Sequence, residues 1–525
     1  MKRRLLCALC VALGTGCAGG ATRAAVAPDT ERTPSATNGS ANGSGPAPSA
    51  SPPPPAPAAV PPAPASCAEF GAAPQPSCVA TGSSWERLAA ALEQNEPVPR
   101  DVALACIEAE HAALAPSLRA LRAELAPLEC GDAIVAPLLE TARALSPEDE
   151  STLLGVMLAA QLQRLLRAPP TLTPPFDKPR FQSFFEQELK PWIVSQALAI
   201  GELSQRAAQL KGYGRAIAAI EAGIADLSFV RAARQVALPE ELARDAELRD
   251  VYYAALDEAL EPRKQRGRDA ALVGLRAFSE LGVLADARVT RARAALSELY
   301  GGSRVHALDG LLVPELRTPA PTTLEQRLAA TLPSYYAGRF LASNPGWTER
   351  AQLAAFATRG VPALVRVQLD QGKLSTDAGP LYAALELRRG MLYFSGAAFA
   401  HAEALAATRA AEPDAALVHA VARALAHAPQ DIAASMLAGA RLPGPLGPVD
   451  ALEALAARRG PRQGEALFDL AFVRSLTPPQ QNPAFWLEIS QTFTRAAPLL
   501  ADARAAARAR ELAAAARNTA GALKP

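Results

Sequence analysis

Four proline-rich interruptions divide a chain that is otherwise written in helix formers. APPTLTPPFDKP at 168–179, PELRTPAPTT at 314–323, LPGPLGP at 442–448 and TPPQQNP at 477–483 each stop a helix, because proline lacks the N–H an α-helix needs and clashes with the preceding turn. Between them Ala, Leu, Arg and Glu dominate beyond residue 80, and these residues lose least on entering a helix. Alternating runs of Val, Ile, Thr and Tyr, which mark strands, are nearly missing. The pattern predicts an all-α fold of αα-hairpin repeats or bundles, solenoid-like. Its expected blocks are 67–167, 180–313, 324–441 and 450–520.

Helix starts are legible. Ser83-x-x-Glu86, Ser146-Pro-x-Asp149 and Thr322-x-x-Glu325 have the spacing of capping boxes, in which a hydroxyl and a carboxylate satisfy orphan N–H groups reciprocally. Leu242, Ala246, Val251, Ala255 and Leu260 recur at roughly helical spacing, as do Leu272, Leu275, Phe278 and Leu281. Pro262 and Arg263 lie between the two sets and predict a hairpin of two helices. A third helix is expected from about Asp286 to Tyr300.

The N-terminus carries an address. Lys2, Arg3 and Arg4 precede the apolar run Leu5–Leu13, too short to span a bilayer and the right length for a secretory signal. Thr15, Gly16 and Cys17 then resemble a bacterial lipobox, with Leu13 one residue early and Gly14 in its place. That resemblance implies residues 1–16 as a signal peptide and a diacylglycerol thioether on Cys17, which would attach the chain to a membrane of the bacterial envelope. Ala18-Gly19-Gly20 offers the alternative of an ordinary signal-peptidase cut. From Cys17 to residue 66 the chain is dominated by Ala, Pro, Ser, Thr and Gly, with too few large apolar groups to offset ordering entropy, and reads as a disordered, partly polyproline spacer.

Cys67, Cys78, Cys106 and Cys130 cluster where the body begins. In an exported chain they predict two disulfides, in any of three pairings. No pair has the close spacing of a zinc site. Lys plus Arg number 53 and Asp plus Glu 52, so no net field draws the chain to nucleic acid.

Within LELRRGMLYFSGAAFAHAEALAATRAAEPD, Gly390, Tyr393 and Ala402 resemble the Gly-x-x-Tyr and small-residue positions of a tetratricopeptide repeat. Glu386, Arg389 and Ala406 stand where that family carries aromatic or Leu residues, and Pro413 ends the unit. The resemblance implies a helix–turn–helix unit over about one repeat.

Signs of catalysis are sparse. The five histidines show no His-Glu-x-x-His pattern, and no nucleophile elbow or phosphate loop occurs. Gly212-Tyr-Gly214 lacks a third glycine and a preceding strand, and predicts a turn joining helices. No metal or cofactor is expected. Aromatic residues make up only 5% of the chain, yet they cluster beside two proline-rich joints. Phe176, Phe181, Phe184, Phe185 and Trp192 form one set, and Tyr335, Tyr336, Phe340 and Trp347 the other. They are expected to fill seams between blocks. Phe185, Trp192, Tyr335, Tyr336 and Trp347 are the binding candidates if rings are exposed. The expectation is a lipid-anchored, non-enzymatic scaffold with a protein partner. The alternative is a helical solute- or glycan-binding lipoprotein, and a hydrolase or lyase would require converging acids or histidines.

Overall fold

The helix formers follow their propensities: in the computed structural model the described residues form helices, turns and connecting segments, with no strand among them. The structure describes the chain from residue 56 onward apart from 71–77, 79–81, 142–144, 166–168, 175–177, 237, 239–242, 301–302, 316–319, 343–378, 427–446, 477–481 and 524–525. The signal segment, Cys17, the spacer as far as residue 55, Phe176 and Trp347 lie outside the described residues. The chain divides into two compact units. The smaller comprises the described parts of Met1–Ala59, Ala168–Ala199 and Ala232–Pro262, and the larger Val60–Arg167, Ile200–Arg231 and Arg263–Pro525.

The larger unit opens with five helices: α1 (Ser84–Leu92), α2 (Pro97–Glu110), α3 (Ala115–Leu125), α4 (Gly131–Thr141) and α5 (Pro147–Leu165). Ser83 and Glu86 form the expected capping box at α1, and the Ser146 hydroxyl accepts the Asp149 N–H at the start of α5. Leu88, Leu104, Leu118, Leu121, Ile134, Val135 and Leu153 meet in one apolar core. Arg122 is sealed between α2 and α3, its Nε and Nη2 donating to Asp101 at 2.8 and 2.9 Å and its Nη1 to Glu108 at 2.8 Å. The segment read as spacer up to residue 66 is ordered in its last part: Arg164 donates to the Pro61 carbonyl at 2.8 Å, and Ala63 packs on the core. Short side chains leave its backbone groups free to bond with the body.

Three further helices follow: α6 (Lys178–Phe184), α7 (Lys190–Ala208) and α8 (Gly212–Arg234). Gly212, Tyr213 and Gly214 open α8 directly after the joint at 209–211, next to the helix-joining turn that the pattern predicts. Gly212 has φ +52°, the left-handed region where glycine carries no steric cost. The Ser151 hydroxyl donates to the Lys211 carbonyl at 2.8 Å and accepts the Lys211 N–H at 2.9 Å. A Cβ on Gly214 would lie 1.8 Å from the Ser151 carbonyl oxygen, and one on Gly155 2.5 Å from Gly214 Cα. Helices α5 and α8 thus touch backbone to backbone.

The expected hairpin at Pro262 is instead one 35-residue helix, α9 (Ala246–Glu280), with the proline inside it. A mid-helix proline costs about 3 kcal/mol, and tertiary contacts just beyond it oppose that cost. Arg266 Nε donates to the buried Asp226 carboxylate at 2.6 Å, Arg263 lies 3.5 Å from the same group, and the Tyr300 hydroxyl donates to the Lys264 carbonyl at 2.9 Å. The expected third helix is α10 (Ala287–Leu299), capped by Asp286. At α11 (Leu324–Thr331) the capping box is shifted by one from the expected Thr322–Glu325 to Thr323–Gln326, because the glutamine side chain accepts from the N–H groups of both Thr322 and Thr323.

After α12 (Ser334–Ala342), helices α13 (Gly379–Tyr393), α14 (Gly396–Ala407), α15 (Pro413–Ala426), α16 (Asp450–Ala457), α17 (Gln463–Leu476), α18 (Pro483–Ala496) and α19 (Ala503–Ala522) each pack on the next. The tetratricopeptide-like stretch is the helix–turn–helix α13–α14. A Cβ on Gly390 would lie 2.4 Å from the Phe399 ring, so the glycine lets the two helices close. Phe394 takes φ +54° at the turn, and the Ser395 N–H reaches back to the Gly390 carbonyl at 3.1 Å. Glu386, where that family has an aromatic, is buried and paired with Arg389 and His401. Pro413 opens α15 rather than closing a repeat.

The linking segment around 308–312 belongs to this second core. Leu308 and Leu311 bury among Phe468, Val473 and Phe493, whereas Val305 before them and Leu328 after them belong to the first core.

Gly214→Ala should lower stability by about 1–3 kcal/mol or more, read as a drop in denaturation midpoint. Gly379→Ala, with nothing within 4 Å of its Cβ position, should leave it unchanged or raise it by up to about 1 kcal/mol.

Candidate functional site

The four clustered cysteines resolve into one of the three pairings, Cys67–Cys130 and Cys78–Cys106, with Cα–Cα separations of 5.2 and 5.8 Å. Both lie at the start of the helical body. They fit an extracytoplasmic location, where thiols are oxidised.

Of the second aromatic set, the structure turns Tyr336 wholly inward. Its hydroxyl donates to Glu124 Oε1 at 2.8 Å, while Tyr213 and Arg288 donate to Oε2 at 3.0 and 2.8 Å. Burial, and then the Glu124 charge, hold the Tyr213 and Tyr336 hydroxyls well above the usual phenol range, so both stay donors. Burial opposes the charge on Arg288. Glu124, Tyr213, Asp286 and Glu221 around it outweigh that, and the guanidinium holds its proton more tightly than usual. Tyr335 stacks on Tyr213 with centroids 3.8 Å apart and planes at 10°, and its hydroxyl donates to Glu148 at 3.2 Å. Tyr336 is therefore not an exposed binding ring, and Tyr335 has one face covered. The physical reason is that phenol oxygens are the donors a buried carboxylate demands. These groups form an interior network in which Glu124 takes three donors.

The first aromatic set lies in the smaller unit and behaves differently. Phe185–Leu189 forms a π-helical turn between α6 and α7, in which the Lys190 N–H reaches the Phe185 carbonyl. The neighbouring Pro191 has no N–H to continue the regular ladder, a circumstance that favours such a turn. Phe181 and Phe184 are buried, whereas Phe185 and Trp192 are half-buried. Phe181 stacks near Phe185 at 6.5 Å and meets Tyr252 edge-on at 6.4 Å, and Tyr252 meets Tyr253 at 5.5 Å. Burial, then Tyr253, pushes the Tyr252 hydroxyl up to about 12. Sequence reasoning missed Tyr252 and Tyr253. The adjacent pair in DVYYAAL was visible, but its helical periodicity concealed that these rings face a cluster some seventy residues earlier in the chain.

A second missed group is Asp469 on α17. It is fully buried, with Oδ1 accepting the Leu312 N–H at 2.7 Å and Oδ2 without a hydrogen-bond partner. Burial holds its carboxyl far above the usual carboxylate range, against the Leu312 hydrogen bond, and Glu465 pushes the same way as burial.

Among the described residues no group of three His, Cys, Asp or Glu could hold a metal ion, and no helix is long and apolar enough to cross a membrane. Neither a protein-family model, a curated protein nor a solved structure matches the chain.

Glu124→Ala should cost about 3–5 kcal/mol, because Arg288 would keep a buried charge without its closest partner. Tyr336→Phe should cost about 1–2 kcal/mol by leaving one carboxylate oxygen short of a donor. Urea denaturation reads both.

Asp469 ionises at higher pH folded than unfolded, so the stability it contributes is complete in acid and is lost as pH rises through the folded value. Asp469→Asn should remove that loss, and melting curves taken from about pH 5 to pH 9 should diverge from wild type on the alkaline side.

Proposed function

We propose that this protein is an exported lipoprotein, attached to the bacterial envelope through Cys17 and held off the membrane by the Pro/Ala/Ser spacer. Its helical body acts as a protein-interaction scaffold. The observation that carries the reading is the run from Gly379 to Ala522, where consecutive helices pack each on the next and bury Ala-rich faces. Stacks of this kind present long side-chain surfaces, and chemistry is not required of them. The disulfides at the body's entrance support export. Among the described residues Arg122, Arg288 and Glu386 are buried ionisable groups that pair with their neighbours.

A helical solute- or glycan-binding role is the second reading. It rests on the half-buried Phe185 and Trp192 beside the π-helical turn, since π-turns recur at functional sites and flat rings stack on sugars. Tyr336, fully buried, contributes nothing to it.

Cells fed a labelled fatty acid should label the wild type and not Cys17→Ser, and cross-linking of the wild type in intact envelopes should recover a stoichiometric protein partner. Label-free wild type found in the medium would overturn the anchor. An empty cross-link, with Trp192 fluorescence shifting on addition of oligosaccharide and the shift lost in Trp192→Ala, would overturn the scaffold in favour of the second reading.

A further inference from the structure

The chain enters the larger unit at residue 60 and meets two fastenings in succession. The first is Arg164 on α5, whose side chain is only 7% exposed. Its Nε donates to the Pro61 carbonyl at 2.8 Å, and its Nη1 donates to the Glu129 carbonyl at 2.6 Å and to Asp132 Oδ1 at 2.7 Å. Nη2 donates to Asp132 Oδ2. The second fastening is covalent. Cys67 sits buried in the short 3₁₀ turn Ala65–Glu69, and its partner Cys130 directly precedes α4. Both fastenings land on residues 129–132.

The two differ in kind. A single hydrogen bond to a backbone carbonyl yields and re-forms readily, and in residues 60–66 Ala63 packing and the half-buried Val60 and Pro61 supplement it. A disulfide does not yield. Cys67 and Cys130 are 63 residues apart in sequence, and α1, α2 and α3 lie in the loop between them. Force applied to the spacer would pass from Cys67 to Cys130, and then through the Asp132–Arg164 pair into α5. Those three helices would be bypassed.

We infer that residues 60–67, Arg164 and the Cys67–Cys130 bond form a tension strap. Its first part peels from Arg164 to lengthen the tether, and its disulfide stops the peeling and shields α1 to α3 from the pull. The inference rests on the reading of the spacer as a tether, but its test needs no lipid and fails or succeeds independently of fatty-acid labelling.

The test is an optical-trap measurement on the chain from residue 18 to its end, oxidised, with a handle at each terminus. The wild type should show a reversible lengthening, at most roughly 25 Å for residues 60–66, before any unfolding event. Arg164→Gln should abolish that step or move it to lower force. Opening of Cys67–Cys130, by the Cys67→Ser and Cys130→Ser pair, should make α3 and the end of α2 the first elements to unfold, at lower force than any wild-type event, while Cys78–Cys106 still bypasses α1. It should also add about 120 Å of released chain, from residues 67–78 and 106–130, because Cys78–Cys106 still closes the part between them. If the double variant does not fold, reductant added to an already trapped oxidised molecule opens both bonds, and α1 to α3 should then unfold first with about 220 Å of released chain. The proposal is overturned if the wild type shows no reversible step, or if the first unfolding force is unchanged once the bond is open.

Discussion

One buried carboxylate organises the first core. Glu124 takes donors from Tyr213 on α8, Arg288 on α10 and Tyr336 on α12, so four helices distant in sequence share a single charged point. A carboxylate in such surroundings is tolerable only when every lone pair is used and a counter-charge is near. That demand is directional. It sets which turn of each helix faces inward, which apolar contacts alone, being non-directional, would leave open among Ala-rich surfaces. Tyr335, stacked on Tyr213, and Arg339, which donates to Ser117 and to Glu148, carry the same network outward to α3 and α5.

Alanine-rich faces explain the remaining architecture. Small side chains bury little area each, so stability has to come from many close helix contacts rather than from a few large anchors. The glycines at 155, 214, 223, 274 and 390 stand at close helix contacts of this kind. Rings are kept for seams and for polar tasks: Phe399 fills the space that Gly390 leaves, and the Tyr393 hydroxyl donates to the Val283 carbonyl at 2.6 Å. A body whose polar groups are so largely occupied with one another has its surface left for recognition, which supports the scaffold reading. The half-buried rings beside the π-helical turn of the smaller unit are the exception, and they sustain the second one.

Oxidation and the proposed tether meet at one point in the chain. The spacer, both disulfides and Arg164 all bear on the entrance to the helical body, where an exported chain held at its N-terminus would feel a pull first.

Helix type, the described parts of the first two proline-rich breaks, the Ser83 cap, the α10 boundaries, the helix start at Gly212 and the presence of paired cysteines were legible in sequence, because each depends on neighbours within a few residues or on composition. The breaks at 442–448 and 477–483 lie largely outside the described residues. What required tertiary structure depends on residues far apart. Pro262 lies inside α9 because Asp226 and Tyr300 fasten the turn beyond it, and neither is local. The cap at Thr323 rather than Thr322 turns on where one glutamine side chain can reach. Tyr336 and Trp192 look alike as aromatic residues near proline-rich joints, yet one is sealed against Glu124 and the other half-exposed, since only the path of the chain decides which ring meets a buried charge. Local chemistry chose the helices, and long-range pairing of charge, hydroxyl and sulfur chose their arrangement.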